Sequence, residues 1–469
     1  MGWPSTVVSR AAWDEAAGRL CAGELSLVSL WGEPGHVRMA VLEGEAHRPA
    51  VLALPCAANR FPSVGRLHAP ALRLERALHD LTGLEPEGSP DTRPWLRHGT
   101  PYEFLPAEGP SLHQIPVGPV HAGIIEPGHF RFTANGETVV RLEARLGYVH
   151  KGIDALMAGA PLQRAASLAG RVSGDSTVAY AIAFAHAVED ALGVDVPPRA
   201  VWLRALAAEL ERLANHFGDI GAVCNDAAFV IMHASFGVLR EQVLRAAHAC
   251  FGHRLMMDCV VPGGMRSDLA ADGRGRLNEL VRFARREFPP LVELYDNTAS
   301  LKDRTVDTGI LSRELARQFA AGGYVGRASG RNFDARRSPG YAPYDRLQFN
   351  VPVVQAGDVN ARVWIRIQEV EQSLSLIEQI LDQLPSGPVS VTVRRSSQHS
   401  EGVALVEGFR GDIFAWVRIG ADGNVERCHL RDPSWFQWPL LEAAIEGNIV
   451  ADFPLCNKSF NCSYSGHDL

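Results

Sequence analysis

The sequence predicts an α+β protein in which a small α/β domain precedes a large domain built on long helices. At 469 residues the chain is too long for one ordinary hydrophobic core. Apolar residues in its middle recur at spacings of three and four, which is typical of packed helices. Alternating segments joined by Asn-Gly or Asp-Gly lie on either side of this middle part, so we expect small peripheral antiparallel sheets.

The domain boundaries follow from a proline-rich stretch. Residues 85–114 contain six prolines, at 86, 90, 94, 101, 106 and 110, with little apolar periodicity, as in an extended linker. We therefore predict a small docking domain over 1–84, a linker over 85–114 and the large domain over 115–469. Within the first domain, 71–84 has the pattern of a helix and 51–54 that of a strand.

Two hairpins and two long helices are predicted in the large domain. The hairpins turn at Asn135-Gly136 and at Asp422-Gly423. One helix should begin at Pro197-Pro198, because proline is favoured in a first helical turn. The other should end before Pro385, after a strict four-three apolar seam that comprises Val363, Ile367, Val370, Leu374, Ile377, Leu381 and Leu384. A buried helical bundle is the expected solution.

Composition excludes several classes of function. The net charge of −7 is spread along the chain and forms no basic stripe, so nucleic acid is not an expected partner. No apolar stretch approaches the roughly 20 residues that a spanning helix needs, so no direct membrane span is expected. The first ten residues lack the pattern of a secretory signal, which favours the cytoplasm.

The eight cysteines form no Cys-x-x-Cys pair. In a reducing compartment, scattered cysteines are usually small buried hydrophobes, and we expect this role for most of them. No metal site is predicted in the chain.

Several segments together resemble the large subunits of group 4 membrane-bound nickel–iron hydrogenases and the quinone-site subunit of complex I. These segments span 115–466 and comprise Gly118-Pro119-Val120-His121, Glu126-Pro127-Gly128-His129-Phe130-Arg131, Gly147 to Gly152, Val196 to Ala200 with Glu209 to Leu213, Arg327 to Gly330, Asp432-Pro433-Ser434 to Pro439, Glu446-Gly447-Asn448 and Asn457 to Gly466. In the first domain, 73–84 resembles the helix of the small complex I subunit that docks beside the large one. Formate hydrogenlyase large subunits are similar fusions of the two parts.

The resemblance also identifies what is missing. A nickel–iron hydrogenase holds its metals through two Cys-x-x-Cys pairs, since soft thiolates are needed to bind nickel and bridge it to iron. Here the first pair aligns with Ser173-Gly174-Asp175-Ser176 and the second with Ser463-Tyr464-Ser465-Gly466. All four ligand positions, Ser173, Ser176, Ser463 and Gly466, therefore lack sulfur. Cys456 and Cys462 lie near the second pair, and a shifted single thiolate is the alternative to plain packing there.

The pattern also departs from the complex I subunit. In that family the quinone headgroup lies between a histidine on the first hairpin loop and a tyrosine that follows the arginine aligned with Arg171. By alignment these positions hold Pro127 and Gly174 here. The full ligand set of neither chemistry is therefore present, as in the energy-converting hydrogenase-related complexes.

The resemblance implies a large subunit of a membrane-associated, ion-translocating redox complex. It would accept electrons from an iron–sulfur cluster in a partner subunit and pass them to a quinone or another acceptor. The implied partners are the iron–sulfur small subunit, a ferredoxin-like subunit, and antiporter-like and complex I-like membrane-arm subunits. The expected location is the cytoplasmic face of the inner membrane.

Three residues are candidates for roles beyond packing. Glu126 aligns with a carboxylate that relays protons in hydrogenases, although a surface glutamate or one paired with an arginine is the alternative. Asp175 would place a charge in the vacated cavity, or it would serve a helix N-terminus that Ser173 caps. Arg327 belongs to a segment that resembles a cavity-lining loop, and an ion pair with Asp334 is a further hypothesis.

Three functions remain open at this stage. The first is the redox subunit, with an acceptor held near Glu126, the serines and Gly466. The second is a non-catalytic scaffold that only joins the small subunit to the membrane arm. The third is an active hydrogenase with unusual ligands.

Overall fold

The computed structural model describes residues 3–44, 46–99, 101–123, 125–394 and 397–469. Within these residues the fold is α+β, with long helices in the middle of the chain and small sheets on both sides of it. The predicted fold class is confirmed.

The first part of the chain forms a mixed four-stranded sheet with two helices. The strand order is β1-β4-β3-β2, in which β1 runs parallel to β4 and the other pairs are antiparallel. The helix expected over 71–84 is α2, and the strand expected over 51–54 lies within β4. A short parallel pair, β5 and β6, extends past residue 84 into the predicted linker. The elements are β1 Ser5–Val7, α1 Arg10–Cys21, β2 Leu25–Glu33, β3 His36–Glu43, β4 Arg48–Pro55, β5 Arg60–Pro62, α2 Leu72–Thr82 and β6 Glu85–Glu87.

A three-stranded antiparallel sheet opens the large domain. It contains β7 Leu112–Val117, β8 His129–Asn135 and β9 Thr138–Arg145. Asn135 pairs with Thr138 across the predicted turn, and Gly136 has a positive φ of 59°, which glycine adopts without strain. The connection between β7 and β8 carries Glu126 and is one of the segments that form the candidate site.

Helices occupy the chain from residue 153 to residue 383. Among the described helices α6 is the longest, with 29 residues, and it packs against α12, which like α8 has 25 residues. Helix α12 contains the predicted apolar seam from Val363 to Leu381, which is buried, and the last seam residue, Leu384, lies just beyond the helix. The elements are α3 Ile153–Met157, α4 Leu162–Ala169, α5 Thr177–Leu192, α6 Pro198–Asp226, α7 Val230–Phe251, β10 Val260–Val261, β11 Gly264–Met265, α8 Gly273–Asn297, α9 Ala299–Thr305, α10 Arg313–Gln318, α11 Gly323–Ala328 and α12 Val359–Gln383.

Helix α6 differs from the pattern of an amphipathic helix, because charged residues outside its apolar seam are also buried. Arg204 is 2% exposed and forms an ion pair with Glu189 at 2.6 Å. Glu211 is buried as well, and its carboxyl oxygens accept the Val178 and Ala179 backbone N–H groups at the start of α5. The polar face of this helix therefore binds other elements instead of water.

The chain ends in a second antiparallel sheet followed by three helices. Strands β12 Ser400–Gly408, β13 Gly411–Ile419 and β14 Val425–Arg431 form the sheet, and the predicted Asp422-Gly423 turn joins the last two. Helices α13 Ser434–Ala444, α14 Phe453–Phe460 and α15 Tyr464–Asp468 follow. Helix α5 packs across β12 and β13 and places the residues before α5 near the end of the chain.

The N-terminal sheet packs against the C-terminal sheet. Trp31 stacks on His429 with ring centroids 5.1 Å apart, and Ser29 Oγ lies 2.8 Å from His429 Nε2. The buried Arg431 donates to the Val28 carbonyl at 2.7 Å. These contacts join β2 to β14 directly, so the small domain does not depend on the linker for its position.

Over the part of the chain that the structure describes, no helix is long and apolar enough to cross a membrane.

Truncation of a buried residue in the α12 seam should destabilise the protein more than truncation of an exposed residue on the same helix. Ile377 is fully buried, so Ile377→Ala should lower the free energy of unfolding by about 2–5 kcal/mol. The control, Glu371→Ala, removes an exposed side chain and should change it by less than about 0.5 kcal/mol. Thermal unfolding of the purified protein checks this, and equal effects would contradict the assignment of the buried face.

Candidate functional site

Three serines and one glycine from distant parts of the chain meet in the interior. Ser173 precedes α5, Ser463 precedes α15, and their hydroxyl oxygens lie 2.9 Å apart although 290 residues separate them. Ser463 Oγ also accepts the Gly466 N–H at 2.9 Å and so caps α15. We call Ser173, Ser176, Ser463 and Gly466 the serine cluster. The structure thus brings together the two segments that the sequence pairs.

Arg410 holds the serine cluster in place by an ion pair with Asp175. Its two terminal nitrogens donate to the two oxygens of Asp175 at 2.7 and 2.5 Å, and Nη1 also reaches Ser176 Oγ at 3.2 Å. Nε donates to the Asn461 carbonyl at 2.5 Å. Arg410 lies in the turn between β12 and β13 and thereby connects three segments at once. Bidentate guanidinium–carboxylate pairs of this kind fix geometry as well as charge.

The ion pair also sets the ionisation of Asp175. Burial opposes the charged form, but the Arg410 guanidinium and a hydrogen bond from Ser173 outweigh it and lower the pKa of Asp175. Asp175 therefore carries a fixed negative charge beside the serines. Ser173 donates to Asp175 and caps no helix in the structure, and Glu211 instead accepts the first N–H groups of α5.

The fourth position of the cluster, Gly466, has no room for a side chain. A Cβ atom added there would lie 2.5 Å from Asp432 Oδ2 and 2.9 Å from Ser463 Oγ. Asp432 is itself buried and held by the Tyr180 hydroxyl at 2.7 Å and by the Ser434 N–H at 2.8 Å. The carboxylate of Asp432 thus occupies the space into which a larger residue at 466 would point.

Glu126 contacts the same region from the loop between β7 and β8. The residue is exposed, and its Oε2 accepts the Ser465 N–H at 3.0 Å. Gly128, in the same loop, lies against Tyr464, since a Cβ there would meet the ring at 2.6 Å. The loop motif and the C-terminal motif are therefore in direct contact, and Glu126 links this site to the surface.

Arg327 lies in a buried ionic cluster rather than among the serines. It contacts Glu369 at 2.7 Å, Glu407 at 2.9 Å and Asp334 at 3.5 Å. The hypothesised contact with Asp334 is present, although it is the longest of the three. Burial, followed by the nearby Asp334 carboxylate, raises the pKa of Glu407 to about 7. Glu407 lies three positions before Arg410 on the same hairpin, so the ionic cluster is next to the serine cluster.

The two nearby cysteines are buried. Cys456 lies under Gly309, and Cys462 is 6% exposed. Burial raises the pKa of the Cys456 thiol to about 11 and that of Cys462 further, so both thiols keep their protons at neutral pH. Among the residues that the structure describes, no three His, Cys, Asp or Glu side chains are grouped to hold a metal ion.

Sequence reasoning assigned no site role to Arg410, Asp432, Tyr180 or Glu211. Asp432 and Glu211 lie in segments that carry the resemblance, whereas Arg410 and Tyr180 lie in none of them, and the partner of each residue is distant in sequence. The signal that was available was the charge on otherwise apolar segments, since a buried ionisable residue needs a partner.

The fold and this site define a class of protein. It is a large subunit with a helical domain in which the segment before α5 contacts the segment before α15. The chain belongs to the family described as the respiratory-chain NADH dehydrogenase 49 Kd subunit, which matches residues 226–468.

The chain is similar both to a formate hydrogenlyase subunit and to a subunit of an NADH-quinone oxidoreductase. The chain is 32% identical to formate hydrogenlyase subunit 5 of Escherichia coli strain K12, over 87% of this chain and 77% of the relative. It is 31% identical to a subunit of the NADH-quinone oxidoreductase of Desulfotalea psychrophila, over 72% of this chain and 91% of the relative. A solved chain from the membrane-bound sulfane sulfur reductase, an archaeal respiratory membrane complex, superimposes with a TM-score of 0.72 at 26% identity, covering 76% of this chain and 99% of that chain.

Because the space around Gly466 is filled, a side chain at this position should destabilise the protein. Gly466→Ala should lower the free energy of unfolding by about 1–3 kcal/mol, because the new methyl group meets the Asp432 carboxylate. Gly174→Ala is the matched control, since nothing lies within 4 Å of the Cβ that it adds. Thermal unfolding of both variants checks the prediction, and an equally mild effect at the two positions would contradict it.

Glu211 predicts a dependence on pH. Burial raises its pKa from 4.5 to about 8, so between these pH values the unfolded chain loses a proton that the folded protein keeps. The parent should therefore lose stability from pH 5 to pH 8, and Glu211→Gln should not lose this component. The variant lacks one carboxyl acceptor and should be less stable than the parent at pH 5. Its stability relative to the parent should increase as pH rises. Thermal unfolding of the parent and Glu211→Gln at pH 5 and pH 8 tests this, with Glu279→Gln at an exposed position as the control. A stability difference between parent and Glu211→Gln that is the same at both pH values would contradict the prediction.

Proposed function

We propose that this chain is the large subunit of a membrane-associated, ion-translocating redox complex that works without a nickel–iron centre. It accepts electrons from an iron–sulfur cluster in a small subunit and delivers them to a quinone or another acceptor. A ferredoxin-like subunit and antiporter-like and complex I-like membrane-arm subunits complete the assembly, on the cytoplasmic face of the inner membrane. Relatives named as subunits of a formate hydrogenlyase and of an NADH-quinone oxidoreductase support this assignment.

The serine cluster carries the proposal. A nickel–iron centre of the hydrogenase type needs four thiolates, whereas these positions offer three hydroxyls and a hydrogen atom, and hydroxyls are poor ligands for such metals at neutral pH. The hydroxyls already bond to one another and to protein groups, and Asp432 fills the space beside Gly466. These residues do not fit a nickel–iron group, so no step of the reaction is assigned to one.

The chain's own residues support proton delivery. A quinone takes up protons together with electrons, so a site for such an acceptor needs a path from water. Glu126 is exposed, yet it is bonded to the backbone beside Tyr464, so a proton taken from solvent by its carboxylate arrives at the site. Asp175 is unsuited to this exchange, because Arg410 holds it in the charged form.

A second candidate is the non-catalytic scaffold. The observation that favours it is the closed state of the serine cluster. The cavity beside Gly174 and Asp175 has a volume of about 10 Å³, which is room for roughly one water molecule. A scaffold would need the helices and the ionic contacts, and it would not need a ligand space at this point.

Metal content and one substitution test the proposal. The purified complex should contain no nickel, and its iron should be accounted for by the clusters of its partner subunits. A bimetallic centre in the serine cluster, or hydrogen uptake, would contradict the proposal and favour the hydrogenase.

Glu126→Gln should slow the reoxidation of the partner clusters by quinone by about tenfold or more, because the amide cannot carry a proton. Glu137→Gln, in the turn between β8 and β9, is the exposed control and should react as the parent does. Absence of reoxidation in the parent by quinone and by every other acceptor tried would favour the scaffold. An unchanged rate in Glu126→Gln would leave the redox function and remove Glu126 from proton transfer.

A further inference from the structure

Part of the proline-rich segment between the two domains is bound tightly to both of them. The structure describes residues 91–98 and places them in no helix or strand. Proline at 94 disfavours a helix there, so the backbone N–H and carbonyl groups of this segment need partners from side chains. We call residues 91–98 the strap.

Helix α2 of the small domain supplies several of these partners. Asp80 Oδ2 accepts the Trp95 N–H at 2.6 Å. Arg76, which is buried, donates to the carbonyl oxygens of Arg93 and Pro94 at 2.7 and 3.3 Å. The strap therefore follows α2 and keeps a fixed path along it.

The large domain binds the strap at the same point. Arg145, at the end of β9, donates to the carbonyl oxygens of Trp95 and Arg97, the latter at 3.1 Å. The Trp95 side chain is buried, and the guanidinium carbons of Arg73 and Arg76 lie 4.8 and 4.6 Å from its ring centroid. Cations at this distance from an indole attract it, so the ring of Trp95 is held by both domains.

Trp95 contacts helix α15 at His467. The two ring centroids are 5.6 Å apart, and the imidazole also stacks on Trp435 of α13 at 4.0 Å. His467 Nδ1 donates to Asp468 Oδ1 at 2.9 Å, whereas Nε2 has no hydrogen-bond partner among the described residues. Burial lowers the pKa of His467, so the imidazole is neutral near pH 7. Its position therefore depends largely on the two tryptophans.

We infer that the strap positions α15 through the contact between Trp95 and His467, and that the small domain thereby controls the closure of the serine cluster. His467 directly follows Gly466, whose N–H donates to Ser463 Oγ, and Ser463 contacts Ser173. Helix α15 has five residues, and a helix of this length is not stable without its neighbours. This control belongs to the chain alone and holds whether or not electrons pass through it.

Other contacts of α15 come from the large domain. Asp468 Oδ2 accepts the Val149 N–H at 3.1 Å, and the Leu469 carbonyl accepts the Lys151 N–H at 2.8 Å. These contacts hold the last residues of the helix. Loss of the strap contact should therefore loosen α15 locally without detaching it, and such local opening accelerates amide hydrogen exchange.

The test is amide hydrogen exchange of the purified protein, followed by mass spectrometry. Trp95→Ala should raise the exchange rate of the 463–469 peptide by about tenfold or more, because His467 loses an aromatic neighbour. Trp95→Phe keeps an aromatic ring and should stay within about threefold of the parent. Exchange in α12 around the buried Ile377 reports global unfolding and serves to normalise all variants.

Trp31→Ala is the matched control. Trp31 is another buried tryptophan of the small domain, but it packs against His429 of the C-terminal sheet. Its loss should leave the normalised exchange of the 463–469 peptide unchanged. Equal acceleration in Trp31→Ala and Trp95→Ala, or parent-like exchange in Trp95→Ala, would overturn the role of the strap.

A second variant decides the matter if Trp95→Ala does not fold. Asp80→Asn keeps Trp95 and removes the charge that binds the strap backbone. It should raise the normalised exchange of the 463–469 peptide by about three- to tenfold, because a hydrogen bond to a charged group is weakened. Exchange equal to that of the parent would mean that α15 does not depend on the small domain.

Discussion

The ion pair between Arg410 and Asp175 is the contact on which the geometry of the site depends. It joins the turn between β12 and β13 to the segment before α5, and through Nε it also holds the residue before Cys462. Arg410 is 4% exposed, so its charge has little access to water and needs this partner. The Asp175 side chain is 35% exposed, but without it the buried Arg410 charge would have no ionic partner, so the three segments depend on one another.

Buried ion pairs also connect the site to the helical bundle. Glu407, on the strand that leads to Arg410, contacts Arg327, which in turn contacts Glu369 on α12. Glu369 accepts a hydrogen bond at 2.7 Å from His216, which lies on α6. The long helices are therefore fastened to the site by buried charges as well as by apolar packing. A core of this kind favours one arrangement, because each alternative would leave a charge unpaired.

Local patterns in the sequence predict the elements well, and they predict the site only in part. Asn135-Gly136 and the seam of α12 carry periodic or turn signals, and the structure has the hairpin and the helix at those places. The serines and Glu126 could be grouped because whole motifs contain them. Arg410 could not, since it lies in no such motif and acts through Asp175, which is remote in sequence. Asp432 does belong to a motif, but its contact with Tyr180 could not be predicted from it. Such pairings depend on tertiary structure and leave no periodic trace.

Contacts within the protein occupy the serine cluster and leave no ligand space at its four positions. A metal centre held by thiolates keeps its ligands apart around the metal, with bonds of about 2.3 Å to each sulfur. Here Ser173 and Ser463 are in direct hydrogen-bond contact, and the carboxylate of Asp432 packs against Gly466. In this closed arrangement the hydroxyls of Ser173, Ser176 and Ser463 all have hydrogen-bond partners within the protein. A cavity of about 230 Å³ lies beside Tyr464 and the β7–β8 loop, outside the serine cluster.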